Sequence, residues 1–130
     1  MLDLVLPDSN FYIHRARAGF DPFVELAAHA DDWDFATCGM VVIEVCRGRR
    51  DPAIHQRFRQ RFSIMPYIAT GRSVWERTGQ LAWALDRKGV VLPVSDLLIA
   101  ACAIHVKAAV LTLDAHFQEI PGLRVLDTLA

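Results

Sequence analysis

The chain has little that would staple, anchor or export it. Its three cysteines, Cys38, Cys46 and Cys102, are odd in number, widely spaced and set among apolar residues. That excludes a disulfide framework and a zinc-ligand pattern, and reads as buried, reduced thiols in a cytoplasmic protein. No run approaches the roughly 20 consecutive apolar residues of a membrane span. The most apolar stretch, residues 90–113, is interrupted by Asp96, His105 and Lys107. No basic segment followed by an apolar one opens the chain, so no export signal is visible. Repeats, low-complexity tracts and linkers are also missing, and the expectation is one domain over residues 1–130.

Lysine is nearly absent. Of the 14 basic residues only Lys88 and Lys107 are lysines. The formal net charge of −1 does not announce a nucleic-acid binder, but the distribution is uneven. Arg47, Arg49, Arg50, Arg57, Arg59 and Arg61 crowd one segment. The planar guanidinium fork suits phosphate oxygens, so this segment is either a local basic face or a solvated helix surface. What the chain has in quantity is apolar residues, 53% of the total with a mean hydropathy of +0.24. That favours a globular protein with a proper core.

Residues 2–6 read as a short buried strand ended by the turn chemistry of Pro7-Asp8-Ser9-Asn10. A helix is predicted from about Asn10, and Asp21-Pro22 opens another. Residues 33–37 read as a second strand. Residues 40–46 suit strand or helix by periodicity, and Gly39 and Gly48 at the two ends favour helix. Asp51-Pro52 starts a further helix with Ile54, Phe58 and Phe62 on one side. Residues 64–68 read as an extended link around Pro66. An amphipathic helix is predicted over 71–88, stopped by Gly89. Ser95 is expected to cap a helix reaching about Val106. Residues 109–112 form a strand, 114–118 a helical turn and 124–126 a last edge strand. Strands alternating with helices imply a mostly parallel sheet covered on both faces, an α/β fold of three layers.

Four acids punctuate this pattern at element ends: Asp8, Glu44, Asp96 and Asp114. Each lies in or just after an apolar stretch, where an unpartnered carboxylate is costly. Taken singly, each has a structural explanation. Asp8 can close an Asx-turn, Asp96 can support a helix N-terminus, and Asp114 can cap the turn that follows. Glu44 can pair with Arg47 one helical turn on. Taken together they imply a shared site, because open α/β sheets bind ligands beyond the carboxyl ends of their strands. Two like charges about 4 Å apart repel by roughly 4 kcal/mol at an effective dielectric of 20. Such acids take up protons or recruit a divalent cation. With no histidine or cysteine expected among the ligands, oxygen donors favour magnesium, or manganese in its place. Ser9, Asn10 and Thr112 are expected to hold the carboxylates in place.

The same segments resemble the PIN-domain ribonucleases, and within them the toxins of VapBC-type toxin–antitoxin pairs. The resemblance rests on Asp8-Ser9-Asn10 after the first strand, Glu44-x-x-x-Gly48, Asp96-x-x-Ile99-Ala100-Ala101 and Thr112-x-Asp114-x-x-Phe117, in that order over nearly the whole chain. It implies magnesium-dependent hydrolysis of RNA, with the metal-binding acids at Asp8, Glu44, Asp96 and Asp114. It also implies a homodimer, and an antitoxin whose tail occupies the active-site groove. The chain departs from the family pattern at Pro7 and at Ser9, where threonine is more usual. Arg15, Arg17, Arg47, Arg49 and Arg50 are the expected RNA-phosphate contacts. His116 is expected to be a surface turn residue, and Trp33, Trp75 and Trp83 to lie in the core or an interface. The rival readings are a non-catalytic PIN-like module that binds RNA or protein, and another magnesium enzyme such as a phosphatase. The second lacks its residues: Asn10 stands where a haloacid-dehalogenase-type phosphatase needs a second aspartate.

Overall fold

Asp3–Pro7 (β1) and Ala109–Leu111 (β5) lie side by side at the centre of a four-stranded sheet, with residues 33–35 paired outside β1 and residues 124–126 outside β5. The structure, a computed structural model, describes residues 2–130. Trp33–Phe35 (β2) and Arg124–Leu126 (β6) are the edges, and every pairing in the sheet is parallel. Val5, Leu6, Ala109 and Val110 are all fully buried. Successive strand residues point to opposite faces, so both faces of the central strands are covered, and the sheet is the middle of three layers.

Parallel strands need crossovers, and helices supply them. Ser9–Arg17 (α1) and Pro22–Ala27 (α2) follow β1, Gly39–Cys46 (α3), Pro52–Ser63 (α4) and Arg72–Arg87 (α5) follow in turn, and Val94–His105 (α6) leads into β5. Pro22 and Pro52 occupy first-turn positions behind Asp21 and Asp51, whose side chains accept the Phe23 and Ala53 N–H groups. Helix α6 is apolar nearly all round, and Leu97 to Ala103 are buried without a break. It lies between α5 and the sheet strand β5. Among the described residues no helix is long and apolar enough to cross a membrane.

Three local readings need correction. The strand expected over 33–37 is two strands: β2 stops at Phe35, and Thr37–Cys38 (β3) leaves the main sheet. It pairs instead with Tyr67–Ile68 (β4), the segment read as a link, in a separate parallel pair. Such pairing over 30 residues has no local signature. Ser95 does not cap α6. The helix starts at Val94 behind Pro93, whose extended conformation (φ −57°, ψ 141°) sets the entry, and no side chain caps it.

Candidate metal centre at the sheet's carboxyl edge

Strand β1 leads to a neighbour on one side and β5 lies on its other side, so the chain changes winding direction between them. A crevice opens at the carboxyl ends of such a strand pair. The register pairs Pro7 with Leu111, which brings the next residues of both strands, Asp8 and Thr112, to the same edge. Pro7 donates no ladder bond, but the following Asp8 N–H reaches the Leu111 carbonyl at 3.1 Å.

Asp8 is buried, only 2% exposed, and both of its oxygens are held. Oδ1 accepts the Phe11 N–H at 2.9 Å, which caps α1, and Oδ2 accepts the Thr112 hydroxyl at 2.6 Å. Thr112 Oγ1 in turn accepts the Asp114 N–H at 2.9 Å. One threonine therefore ties the acids after β1 and β5 together. Glu44, near the end of α3, accepts the Ser9 hydroxyl at 2.6 Å on Oε1 and makes no ion pair with Arg47. Asp96 stands in the first turn of α6. Asp8, Glu44 and Asp96 line one cleft of about 180 Å³ with Ser9, Asn10, Arg47, Ile13 and Ile99. Asp114 does not line this cleft but adjoins it at Asp96: ligand atoms of Asp96, Asp114 and His116 lie within 4.8 Å of one another.

The acids perturb each other. Burial pushes the Asp8 carboxyl up to about 6, with the charges of Asp114 and Asp96 adding and the Thr112 and Phe11 hydrogen bonds opposing. Asp96 is raised by burial first, then by the charges of Asp114 and Glu44, and lowered by His116. Among the described residues no lysine or arginine pairs with any of the four acids. Only His116 approaches, with Nδ1 3.4 Å from Asp114 Oδ1 and 3.6 Å from Asp96 Oδ2, beyond ordinary hydrogen-bond length. Crowded, unneutralised carboxylates of this kind fit a hard divalent cation.

His116 is more than the surface turn residue expected. Asp114 caps a short 3-10 helix over Ala115–Glu119 by accepting the His116 N–H at 2.9 Å, and this brings the half-exposed imidazole to the acids. The Asp114-x-His116 spacing in a cap was the available signal. Of the residues expected to steady the acids, Ser9 hydrogen-bonds to Glu44 and Thr112 to Asp8. Asn10 is exposed and bonds to none of them.

The arginines separate. Arg47 lines the acidic cleft. Arg15 is held by Glu25 at 3.0 Å over the Phe11 ring, beside a larger cleft of about 350 Å³ that runs from Asn10 and His14 to Asp114 and the chain's last residues. Arg49 lies over the Phe58 ring, 5.7 Å from its centroid, whereas Arg17 and Arg50 are exposed. Phe58 and Phe62 are buried in an aromatic cluster with Tyr12 and Phe23, so they face no partner. Of the tryptophans only Trp33 packs against the core, and Trp75 and Trp83 are 51% and 64% exposed.

With this geometry in view, the chain's likenesses are informative. The fold is similar to a chain of the VapBC2 complex of Rickettsia felis bound to a DNA fragment from its promoter (TM-score 0.80, 23% identity, 95% of this chain and 97% of that one). It is also similar to VapBC-1 of nontypeable Haemophilus influenzae (TM-score 0.79, 18% identity, 95% and 97%). A third likeness is a toxin–antitoxin complex of Klebsiella pneumoniae (TM-score 0.72, 25% identity, 97% and 98%). No curated protein sequence matches the chain. The PIN domain family model matches residues 5–123, nearly the whole length and all four acids, and the chain belongs to the PIN-domain family.

Proposed function

We propose that this protein is a metal-dependent ribonuclease, the toxin of a toxin–antitoxin pair, which hydrolyses RNA phosphodiester bonds at the acidic cleft. The observation that carries the reading is the convergence of Asp8, Glu44, Asp96 and Asp114, far apart in the chain, with no basic side chain spent on neutralising them. A scaffold has no need of four mutually repelling acids. The likeness to complexes described as VapBC or toxin–antitoxin supports a cognate antitoxin as the partner.

Asp8, Glu44, Asp96 and Asp114 would hold magnesium or manganese. When bound there, the ion supplies positive charge that offsets charge on phosphoryl oxygens and makes water easier to deprotonate. The protein's own contribution is positioning. Thr112 and the Phe11 N–H fix both Asp8 oxygens, and Ser9 fixes one Glu44 oxygen, so the carboxylates are oriented before substrate arrives. Arg47, which lines the cleft, would bind a phosphate of the RNA strand.

The test is cleavage of a mixed RNA pool by the purified chain with added Mg²⁺. Asp8→Ala and Asp96→Ala are each expected to abolish cleavage while circular dichroism shows an intact fold. Excess chelator should do the same to the unaltered chain. Full activity in both variants, or in chelator, would remove the mechanism.

A further inference from the structure

The larger cleft, of about 350 Å³, has the size of a small-molecule site and is distinct from the acidic one. The two adjoin. Asn10 lines both, and Asp114 lines the larger cleft while one of its ligand atoms lies within 4.8 Å of one from Asp96. Phe11, Leu111 and Leu129, all buried, give the larger cleft an apolar lining. Its polar groups do not suit a phosphate. Glu25, Asp114 and Asp127 repel an anion, and Arg15, the one arginine among the described residues lining it, is tied to Glu25. A flat, uncharged ring that carries N–H donors suits such a lining better.

Arg15 and Glu25 keep hydrogen-bonding capacity to spare. Arg15 donates through Nε alone, to Glu25 Oε2 at 3.0 Å and Oε1 at 3.3 Å. Its terminal nitrogens donate no hydrogen bond among the described residues, and an ionised carboxylate has about four acceptor positions, of which Arg15 takes two. A pair of acceptors therefore stands beside a set of donors, with both side chains only 34% and 39% exposed. We propose that this cleft takes the guanine base of a ribonucleotide, read by Glu25 and Arg15. Guanine presents two adjacent donors, N1–H and N2–H, beside two adjacent acceptors, O6 and N7, and no other RNA base does. Glu25 accepts from the donors and Arg15 donates to O6 and N7, as arginine commonly does to guanine. The ring lies against Phe11, Leu111 and Leu129. That the base arrives as part of an RNA strand rests on the ribonuclease reading: a phosphate held at the acids leaves its neighbouring base beside Asn10 and Asp114, at this cleft.

Titration of the full chain with the 5′-monophosphates of guanosine, adenosine, cytidine and uridine, followed by NMR amide shifts in excess chelator, tests it. The four share one phosphate and one ribose, so a difference among them reports the base. Guanosine monophosphate is expected to bind about tenfold tighter than the other three, with shifts at Phe11, Leu113 and Leu129. Glu25→Gln and Arg15→Gln, each checked for an intact fold by circular dichroism, should each remove the preference, whereas a merely structural role would weaken all four nucleotides together. Four equal affinities, a preference for another base, or a guanine preference that survives both variants would each overturn the inference. Cleavage of a randomised RNA is scored separately. Product ends should carry guanine at one fixed position beside the cut and lose it in Glu25→Gln. Selective guanine binding by a chain that cuts no RNA would keep this site and remove the nuclease reading, and cutting without any base preference would do the reverse.

Discussion

Thr112 Oγ1 donates its hydrogen to Asp8 Oδ2 at 2.6 Å and accepts the Asp114 N–H at 2.9 Å. One buried threonine thus ties together the acids that follow two neighbouring strands. Thr112→Val keeps the shape and removes the oxygen. It leaves a buried carboxylate oxygen and a backbone N–H without partners, and should cost about 1–3 kcal/mol in urea denaturation. Metal affinity, read by calorimetry, should fall as well, and Thr112→Ser should recover most of both.

Ser9 plays the corresponding part for Glu44 across 35 residues. Ser9→Ala is expected to weaken metal binding by about 10- to 100-fold, the usual effect of removing a group that orients a ligand. Its melting temperature without metal should change little, because Glu44 is only partly buried. Unaltered metal affinity in this variant would argue that Glu44 stands outside the metal's reach.

Burial holds the Asp8 carboxyl at about 6, above its ordinary 3.8. Between those values the native state binds more protons than the unfolded chain. Metal-free stability therefore falls as pH rises through this window and levels off above it. At about 1.4 kcal/mol per pH unit, Asp8 accounts for about 3 kcal/mol. Asp96, also raised, acts in the same direction. Denaturation in chelator at a series of pH values checks the sign, and Asp8→Asn should flatten the profile. A stability that climbs from pH 4 to pH 6 would contradict it.

Magnesium or manganese should raise the melting temperature, since the cluster exists only in the folded chain. Scanning calorimetry at fixed pH with and without the ion measures this. The increment should shrink in Asp96→Ala and Asp114→Ala. An identical melting curve in both conditions would count against a shared cation.

Arg47 and Arg15 separate two ways of meeting RNA. Arg47 stands on the acidic cleft, whereas Arg15 is committed to Glu25. Arg47→Ala should lower RNA affinity and reduce the slope of its salt dependence by about one. Arg15→Ala should do less to the slope. Filter binding at several salt concentrations distinguishes them, and parallel lines for Arg47→Ala and the unaltered chain would return Arg47 to the solvated surface.

Much was legible before the fold was known. Asp8 and Asp114 announce themselves because each follows an apolar strand and opens a helical turn, and their capping bonds to Phe11 and His116 are local. The helix at 39–46 was legible from its flanking glycines, and the edge strand at 124–126 from its position. Other features depend on partners distant in the chain. That Thr37–Cys38 abandons the main sheet is settled by Tyr67–Ile68, 30 residues away, and no turn or period marks it. Ser95 looked like a cap because serine prefers that position, but the preceding Pro93 had already set the helix entry. His116 reads as a surface turn residue because a side chain two positions from an acid has no preferred direction until the cap forms.

By itself, the order of residues determined which elements form and that an acid ends four of them, because periodicity, capping and turn chemistry act over a few neighbours. Only the tertiary structure decided that Ser9 grips Glu44, that Thr112 joins Asp8 to Asp114, and that Trp75 and Trp83 remain outside the core. The physical reason is register. Parallel pairing of Pro7 with Leu111 aligns two loops about a hundred residues apart, and that alignment follows from burying β1 and β5 together rather than from anything either segment encodes alone.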